Sequence, residues 1–154
     1  MSDFTYTMNG DGESPISIAR LPHIAGQLDE VLVGWLTTVS PSGQPQTSAV
    51  WFLREGDSLL MYSSDQATRL TNIDRNPRVS FNLRGDDRGD VIVTLEGAAG
   101  RDPAALPPGE HPGYLDKYES EIERLGWTPA TFSRDFGTAV RIELRRLRAW
   151  APTQ

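Results

Sequence analysis

The sequence contains no cysteine, so it can have no disulfide, no thiolate-held zinc or iron–sulfur cluster and no thiol nucleophile. It has only two histidines, His23 and His111, far apart in the chain and each beside a proline, so nothing in their spacing proposes a metal site. Lys117 is the only lysine, and every other basic side chain is an arginine. No apolar run approaches the roughly 18 residues of a membrane span, and no basic-then-apolar leader is present. The expectation is therefore a cytoplasmic protein with no metal and no contact with a membrane. A net charge of −6 argues against nonspecific nucleic-acid binding, which depends on neutralising phosphates. There is no glycine-rich phosphate loop and no nucleophile elbow. Paired carboxylates such as Glu119 and Glu121 fall on different helix faces and propose no acid–base dyad.

What is present is concentrated between Val33 and Leu83. Three β-branched or aromatic runs, Val33–Val39, Gln46–Arg54 and Leu59–Ser63, are separated by the turn-forming Pro41-Ser42-Gly43-Gln44 and Glu55-Gly56-Asp57. A helix is expected to open at Ser63-Ser64-Asp65-Gln66 and to carry Arg69 and Asn72 before Asn76-Pro77 stops it. Arg78–Leu83 then returns to the sheet. A strand that ends in two serines and enters a helix presents hydroxyls and free backbone N–H groups, which together form an anion seat. Arg69 adds a full charge beside it; its alternative role is an ion pair with Asp65 or Asp74.

Residues 1–13 read as a flexible arm and 14–154 as a single domain. A short helix is expected over His23–Val31. Val91–Gly97 has a continuous apolar centre and reads as a strand buried on both faces. Arg101–Gly113 is a proline-rich linker. Tyr114, Leu115, Tyr118, Ile122 and Leu125 share one helical face, and Gly126 supplies the stop. Thr128-Pro129 caps a short helix to about Asp135. The last strand, Thr138–Leu144, alternates Val140, Ile142 and Leu144 against a charged face. Trp35 is expected in the core. Six strands joined mainly by hairpins, with short helices at the connections, make a mainly β (α+β) barrel and not a doubly wound sheet.

The ordered set Trp35-Leu36-Thr37-Thr38, Gly43-Gln44-Pro45, Ser48-Ala49-Val50-Trp51-Phe52, Tyr62-Ser63-Ser64, Thr68-Arg69-Leu70-Thr71-Asn72-Ile73 and Asn76-Pro77-Arg78-Val79-Ser80 resembles the flavin-binding split-barrel superfamily of pyridoxamine 5′-phosphate oxidase. Within it the chain is most similar to the branch that binds the deazaflavin coenzyme F420. Tyr114-Leu115-Asp116-Lys117-Tyr118, Leu125-Gly126 and Thr128-Pro129 add to that likeness, which covers roughly residues 26–150. The resemblance implies a homodimer of six-stranded split β-barrels with cofactor in a groove at the dimer interface. It implies phosphate near Ser63, Ser64, Thr68, Arg69 and Asn72, a ring lined by Thr47, Ser48, Val50 and Trp51, and Tyr62 among the cofactor-binding residues.

It further implies an F420-dependent oxidoreductase that passes hydride to a small organic acceptor, with catalytic residues unknown. FMN is the alternative cofactor. FMN-binding relatives carry cations on the second strand and a basic pair in the helix, whereas this chain has none from Gln46 to Phe52 and has Thr68-Arg69 in place of the pair. F420's single-charge phosphodiester suits one arginine, and Arg75, Arg78 and the C-terminal arginines are candidates for its glutamyl tail. The same resemblance also admits a non-catalytic F420-sequestering protein and a haem-handling member of the fold.

Overall fold

The computed structural model describes residues 3–9 and 16–152. Eight strands make one antiparallel sheet: β1 (Asp3–Asn9), β2 (Gly34–Val39), β3 (Pro45–Val50), β4 (Leu53–Glu55), β5 (Ser58–Ser63), β6 (Arg78–Leu83), β7 (Ile92–Arg101) and β8 (Thr138–Pro152). Four helices accompany them: α1 (Pro22–Glu30), α2 (Thr68–Arg75), α3 (Pro112–Arg124) and α4 (Pro129–Asp135). None is long and apolar enough to cross a membrane.

Seven strands follow the path β3-β2-β6-β7-β8-β5-β4, and β1 pairs with β8 beside it. The two ends of the path, β3 and β4, are separated in sequence only by Trp51 and Phe52. The sheet must therefore curl until its ends meet, giving the half-barrel. Long β8 is the spine. Along one edge it pairs with β7; along the other it pairs first with β5 and then with β1.

The sheet has more strands than the six expected, for two reasons. The second expected strand, Gln46–Arg54, is broken into β3 and β4 at Trp51-Phe52. There the Phe52 N–H is donated to the Tyr118 hydroxyl at 2.9 Å, and the Phe52 carbonyl accepts from Lys117 Nζ at 2.9 Å. These α3 partners replace ladder bonds and let Phe52 turn fully into the core. Second, Asp3–Asn9, expected as part of a flexible arm, pairs in register with Pro152 through Arg146. The rest of that expected arm lies outside the described residues.

Alternation decides what is buried. Leu36 and Thr38 face inward on β2, so Trp35, expected in the core, lies on the outer face and is 44% exposed. On β7, Val93 and Leu95 are buried while Ile92 and Glu96 face out, so this strand has one covered face and not two. The doubly covered strand is β5: Leu59 and Met61 join the barrel interior, while Leu60 and Tyr62 pack beneath α3 and α4. In the interior, Phe52 and Phe81 meet edge to face at 4.8 Å. The outer cluster is aromatic, built on Tyr62, Tyr114, Tyr118 and Phe132. The Val140, Ile142 and Leu144 face of β8 is fully buried, as its alternation predicts. Leu125, counted on the apolar face of α3, stays 47% exposed because the helix ends just before it at Arg124.

Candidate functional site

The loop from β5 into α2 differs from the expected anion seat. Ser64 closes a turn, its carbonyl accepting from Ala67 N at 3.0 Å and its hydroxyl from Gln66 N at 3.3 Å. Asp65 is drawn away to accept from the Thr138 hydroxyl. The helix therefore begins only at Thr68, with Ala67 as an N-cap that offers no side-chain oxygen. Ser63 is buried and donates to the Ser64 carbonyl at 3.3 Å.

Two hollows meet at the N-terminal end of α2, and neither serine lines them. A polar one of about 330 Å³ is lined by Thr38, Gln46, Thr47, Ser48, Ala67, Thr68, Arg69 and Asn72. An aromatic one of about 300 Å³ is lined by Ala49, Val50, Trp51, Tyr62, Arg69, Tyr114, Leu125, Trp127, Phe132 and Phe136. Arg69 belongs to both. Of the sequence candidates, Thr47, Ser48, Thr68, Arg69 and Asn72 are thus gathered at the polar hollow, and Val50, Trp51, Tyr62 and again Arg69 at the aromatic one. β3 is an end strand of the sheet path, so one of its edges carries backbone N–H and C=O groups with no ladder partner.

Arg69 has neither of the ion pairs open to it. Asp74 is held by Arg101 at 2.9 Å, and Asp65 by Thr138. Among the described residues Arg69 has no hydrogen-bond or ion-pair partner, and burial alone pulls its pKa below the ordinary arginine value. A partly buried guanidinium without a counter-ion is destabilised by desolvation, and an anion brought beside it would relieve that. Thr47, Ser48 and Thr68 line the same hollow and bring hydroxyls to it.

Asn72 is more anchor than contact. It is 1% exposed, and its amide donates to Thr38 Oγ1 at 3.0 Å and to Gln46 Oε1 at 2.8 Å, tying α2 to β2 and β3. Its Oδ1 has no partner among the described residues. Trp51 stacks between Tyr118 at 4.8 Å and Phe132 at 5.7 Å, so its ring forms a fixed wall. Tyr62 is 6% exposed and its hydroxyl is committed to the Leu106 carbonyl at 2.5 Å, leaving only its ring for the hollow; burial raises its pKa to about 12.

Sequence reasoning missed the far wall: Trp127, Phe132 and Phe136 reach the site from α4 and its flanks. The only signal for it was the aromatic spacing around Thr128-Pro129, which reads equally well as core packing. Neither histidine lines either hollow. His111 caps α3 by accepting from Tyr114 N at 3.2 Å, with Nε2 3.4 Å from Glu55, and His23 sits in α1.

A third cavity of about 720 Å³ runs over the outer face of the sheet, lined in part by Thr37, Arg78, Glu96 and Arg145. The Thr37 and Thr47 hydroxyls, 2.7 Å apart, connect it to the polar hollow.

Residues 21–123 match the sequence profile of the pyridoxamine 5′-phosphate oxidase family. No curated protein matches the chain. Among solved structures, an F420 reductase is 25% identical, with a TM-score of 0.55, over 84% of this chain and 92% of that one. An FAD-binding protein from Mesorhizobium loti is 14% identical, with a TM-score of 0.62, over 96% of this chain and 97% of that one. The haem storage protein HutZ from Vibrio cholerae is 19% identical, with a TM-score of 0.55, over 87% and 90%. One fold thus carries proteins named for F420, FAD and haem.

Proposed function

Because the chain belongs to the pyridoxamine 5′-phosphate oxidase family, we propose that it is an oxidoreductase that binds coenzyme F420 and passes hydride from the reduced cofactor to a small organic acceptor. The observation that carries this reading is Arg69, a single cation without a counter-ion, shared by a polar and an aromatic hollow. F420 joins a planar ring to a phosphodiester of one negative charge, and the two hollows offer matching environments in the matching order. The F420 reductase neighbour supports the same choice.

When bound, the deazaflavin would supply the hydride. The residues supply binding and orientation. Arg69, the hydroxyls of Thr47, Ser48 and Thr68 and the N-terminus of α2 would hold the phosphodiester. The free edge of β3 beside Ser48 and Val50 would meet the polar rim of the ring, and Trp51 would fix its plane. Arg78 and Arg145, beyond the Thr37–Thr47 pair, would face the carboxylates of the tail. The large outer face with exposed Trp35 is where a second copy would pack to form the expected dimer.

A flavin is the second reading, favoured by the FAD-binding neighbour. The doubly charged phosphate of FMN would face one arginine where two or more are needed to balance it. Haem would need an axial ligand, and neither histidine reaches the hollows. The deciding experiment is a fluorescence titration of the purified protein with F420, with FMN and with haem. Tight F420 binding and weak FMN binding are expected; preference for FMN or haem would overturn the cofactor assignment. Single-turnover oxidation of bound reduced F420 by candidate acceptors then separates an enzyme from a protein that only sequesters the cofactor.

A further inference from the structure

Asp65 stands where a carboxylate most disturbs an anion seat, four residues before Arg69 and two before Ala67, the N-cap of α2. That N-cap offers no side-chain oxygen, so the first-turn N–H groups of α2 have no side-chain cap. A carboxylate free to move would be drawn to them and to the Arg69 guanidinium. Asp65 is exposed and tethered by a short turn, which gives it an effective concentration of about millimolar against any external anion. Asp74 is no such rival. It lies five residues beyond Arg69, about 140° round α2. Arg101 grips both its oxygens, at 3.0 and 2.9 Å.

The contact that holds Asp65 away comes from a distant strand. Ser63, the last residue of β5, is registered opposite Thr138, the first residue of β8. The turn leaves β5 at that point, so the Asp65 side chain meets the Thr138 hydroxyl and accepts a hydrogen bond from it. Arg101 adds the longer-range attraction of its charge for Asp65. At Arg69 desolvation alone then acts on the guanidinium, with no carboxylate among the described residues near enough to offset it.

We propose that Asp65 is a built-in competitor for the anion seat and that Thr138 is the positioning residue that keeps it off. The proposal rests on reading Arg69 as an anion contact and is indifferent to which anion is bound. Thr138 lines neither hollow, so it acts through Asp65 and not by touching the guest. Its hydroxyl is the working part. A carboxylate that loses this donor turns to the nearest remaining ones, the first-turn N–H groups of α2 and Arg69. An external anion then binds only by displacing Asp65, which lowers its apparent affinity and leaves the aromatic hollow unchanged.

The test follows two probes on the full chain: F420, and diethyl phosphate, a singly charged diester with no ring or tail, observed through its phosphorus resonance. Thr138→Val should weaken both by about three- to tenfold, between the effect of an exposed ion pair and that of a hydrogen bond to a charge. Thr138→Ala, which also lacks the hydroxyl, should match it, and Thr138→Ser, which keeps it, should bind as the wild type does. Combining Thr138→Val with Asp65→Ala should recover wild-type affinity, which a mere loss of packing at Thr138 would not allow. Without ligand, the Arg69 Nε proton should exchange with water more slowly in Thr138→Val than in the wild type, shielded by the new ion pair. Unchanged affinity in Thr138→Val, a loss that Asp65→Ala does not repair, or an unaltered exchange rate would overturn the proposal. The second probe keeps the two readings apart. Diethyl phosphate binding without F420 binding, with the Thr138 pattern intact, removes the cofactor assignment alone. F420 binding that is indifferent to Thr138→Val removes this inference alone.

Discussion

Arg69 differs from Arg54, Arg101, Arg124 and Arg141 in what its neighbours do. Arg54, Arg101, Arg124 and Arg141 each lie within 3 Å of a carboxylate, whereas the two carboxylates nearest Arg69 in sequence are taken by other partners. From sequence alone Arg69 has two roles open to it, a surface ion pair or an anion contact. The choice is hidden there because Arg101 and Thr138 come from distant strands. The geometry removes the ion pair. Arg69→Ala should therefore weaken F420 binding by about 1.5–3 kcal/mol, the range of a hydrogen bond to a charged group, with little change in melting temperature because no internal pair is lost. Isothermal titration beside a thermal melt checks both halves. Unchanged affinity would remove the phosphate seat; a large drop in stability would mean that Arg69 supports the fold.

At the scale of elements, what was legible depended on how local the cause is. The first half of β8, Thr138–Leu144, was readable from its alternation, though not its continuation to Pro152, and α4 was readable from Thr128-Pro129, whose capping box with Thr131 is closed within four consecutive residues. The start of α2 was not readable. Ser63 to Gln66 has the composition of a cap, but a turn at Ser64 and the pull of Thr138 on Asp65 shift the helix to Thr68. The break between β3 and β4 was equally hidden, since the Tyr118 hydroxyl and Lys117 that stabilise it lie far along the chain in α3. The candidates on β3 and α2 reach the hollows because Asn72 ties those two elements together, Trp51 follows β3 and Tyr62 comes from β5, whereas Ser63 and Ser64 belong to the turn. β2 can curl across the interior only because Gly34 has no side chain: a Cβ there would stand 1.9 Å from the Phe81 ring. Gly34→Ala is expected to destabilise the protein by about 1–3 kcal/mol through overpacking, measured as a fall in the urea midpoint. A wild-type midpoint would show that Phe81 moves freely, and that the interior is looser than its edge-to-face contact with Phe52 implies.

The whole molecule couples its closure to protonation, because the groups that hold α3 against the curled sheet are a half-buried lysine and buried tyrosines. Lys117 Nζ donates to the Leu28 carbonyl at 3.1 Å and the Phe52 carbonyl at 2.9 Å, and lies 4.0 Å above the Phe52 ring. These contacts favour the ammonium ion, but desolvation outweighs them and lowers its pKa from the ordinary 10.5 to about 8. Between those values the unfolded chain keeps the proton and the folded chain has lost it, so rising pH favours the folded state across that window. The tyrosines act in the opposite sense. Burial raises Tyr62 to about 12 and moves Tyr114 and Tyr118 in the same direction. Above the ordinary tyrosine value near 10 the unfolded chain ionises first, and stability is lost as pH climbs further. Urea midpoints measured from about pH 7 to about pH 12 should therefore rise from about pH 8 and turn downward above about pH 10. Lys117→Met should remove the rising limb and leave the fall, whatever its effect on the absolute midpoint. A rising limb that persists in that variant would assign it to another group and leave Lys117 charged throughout, held by its two carbonyls and the Phe52 ring.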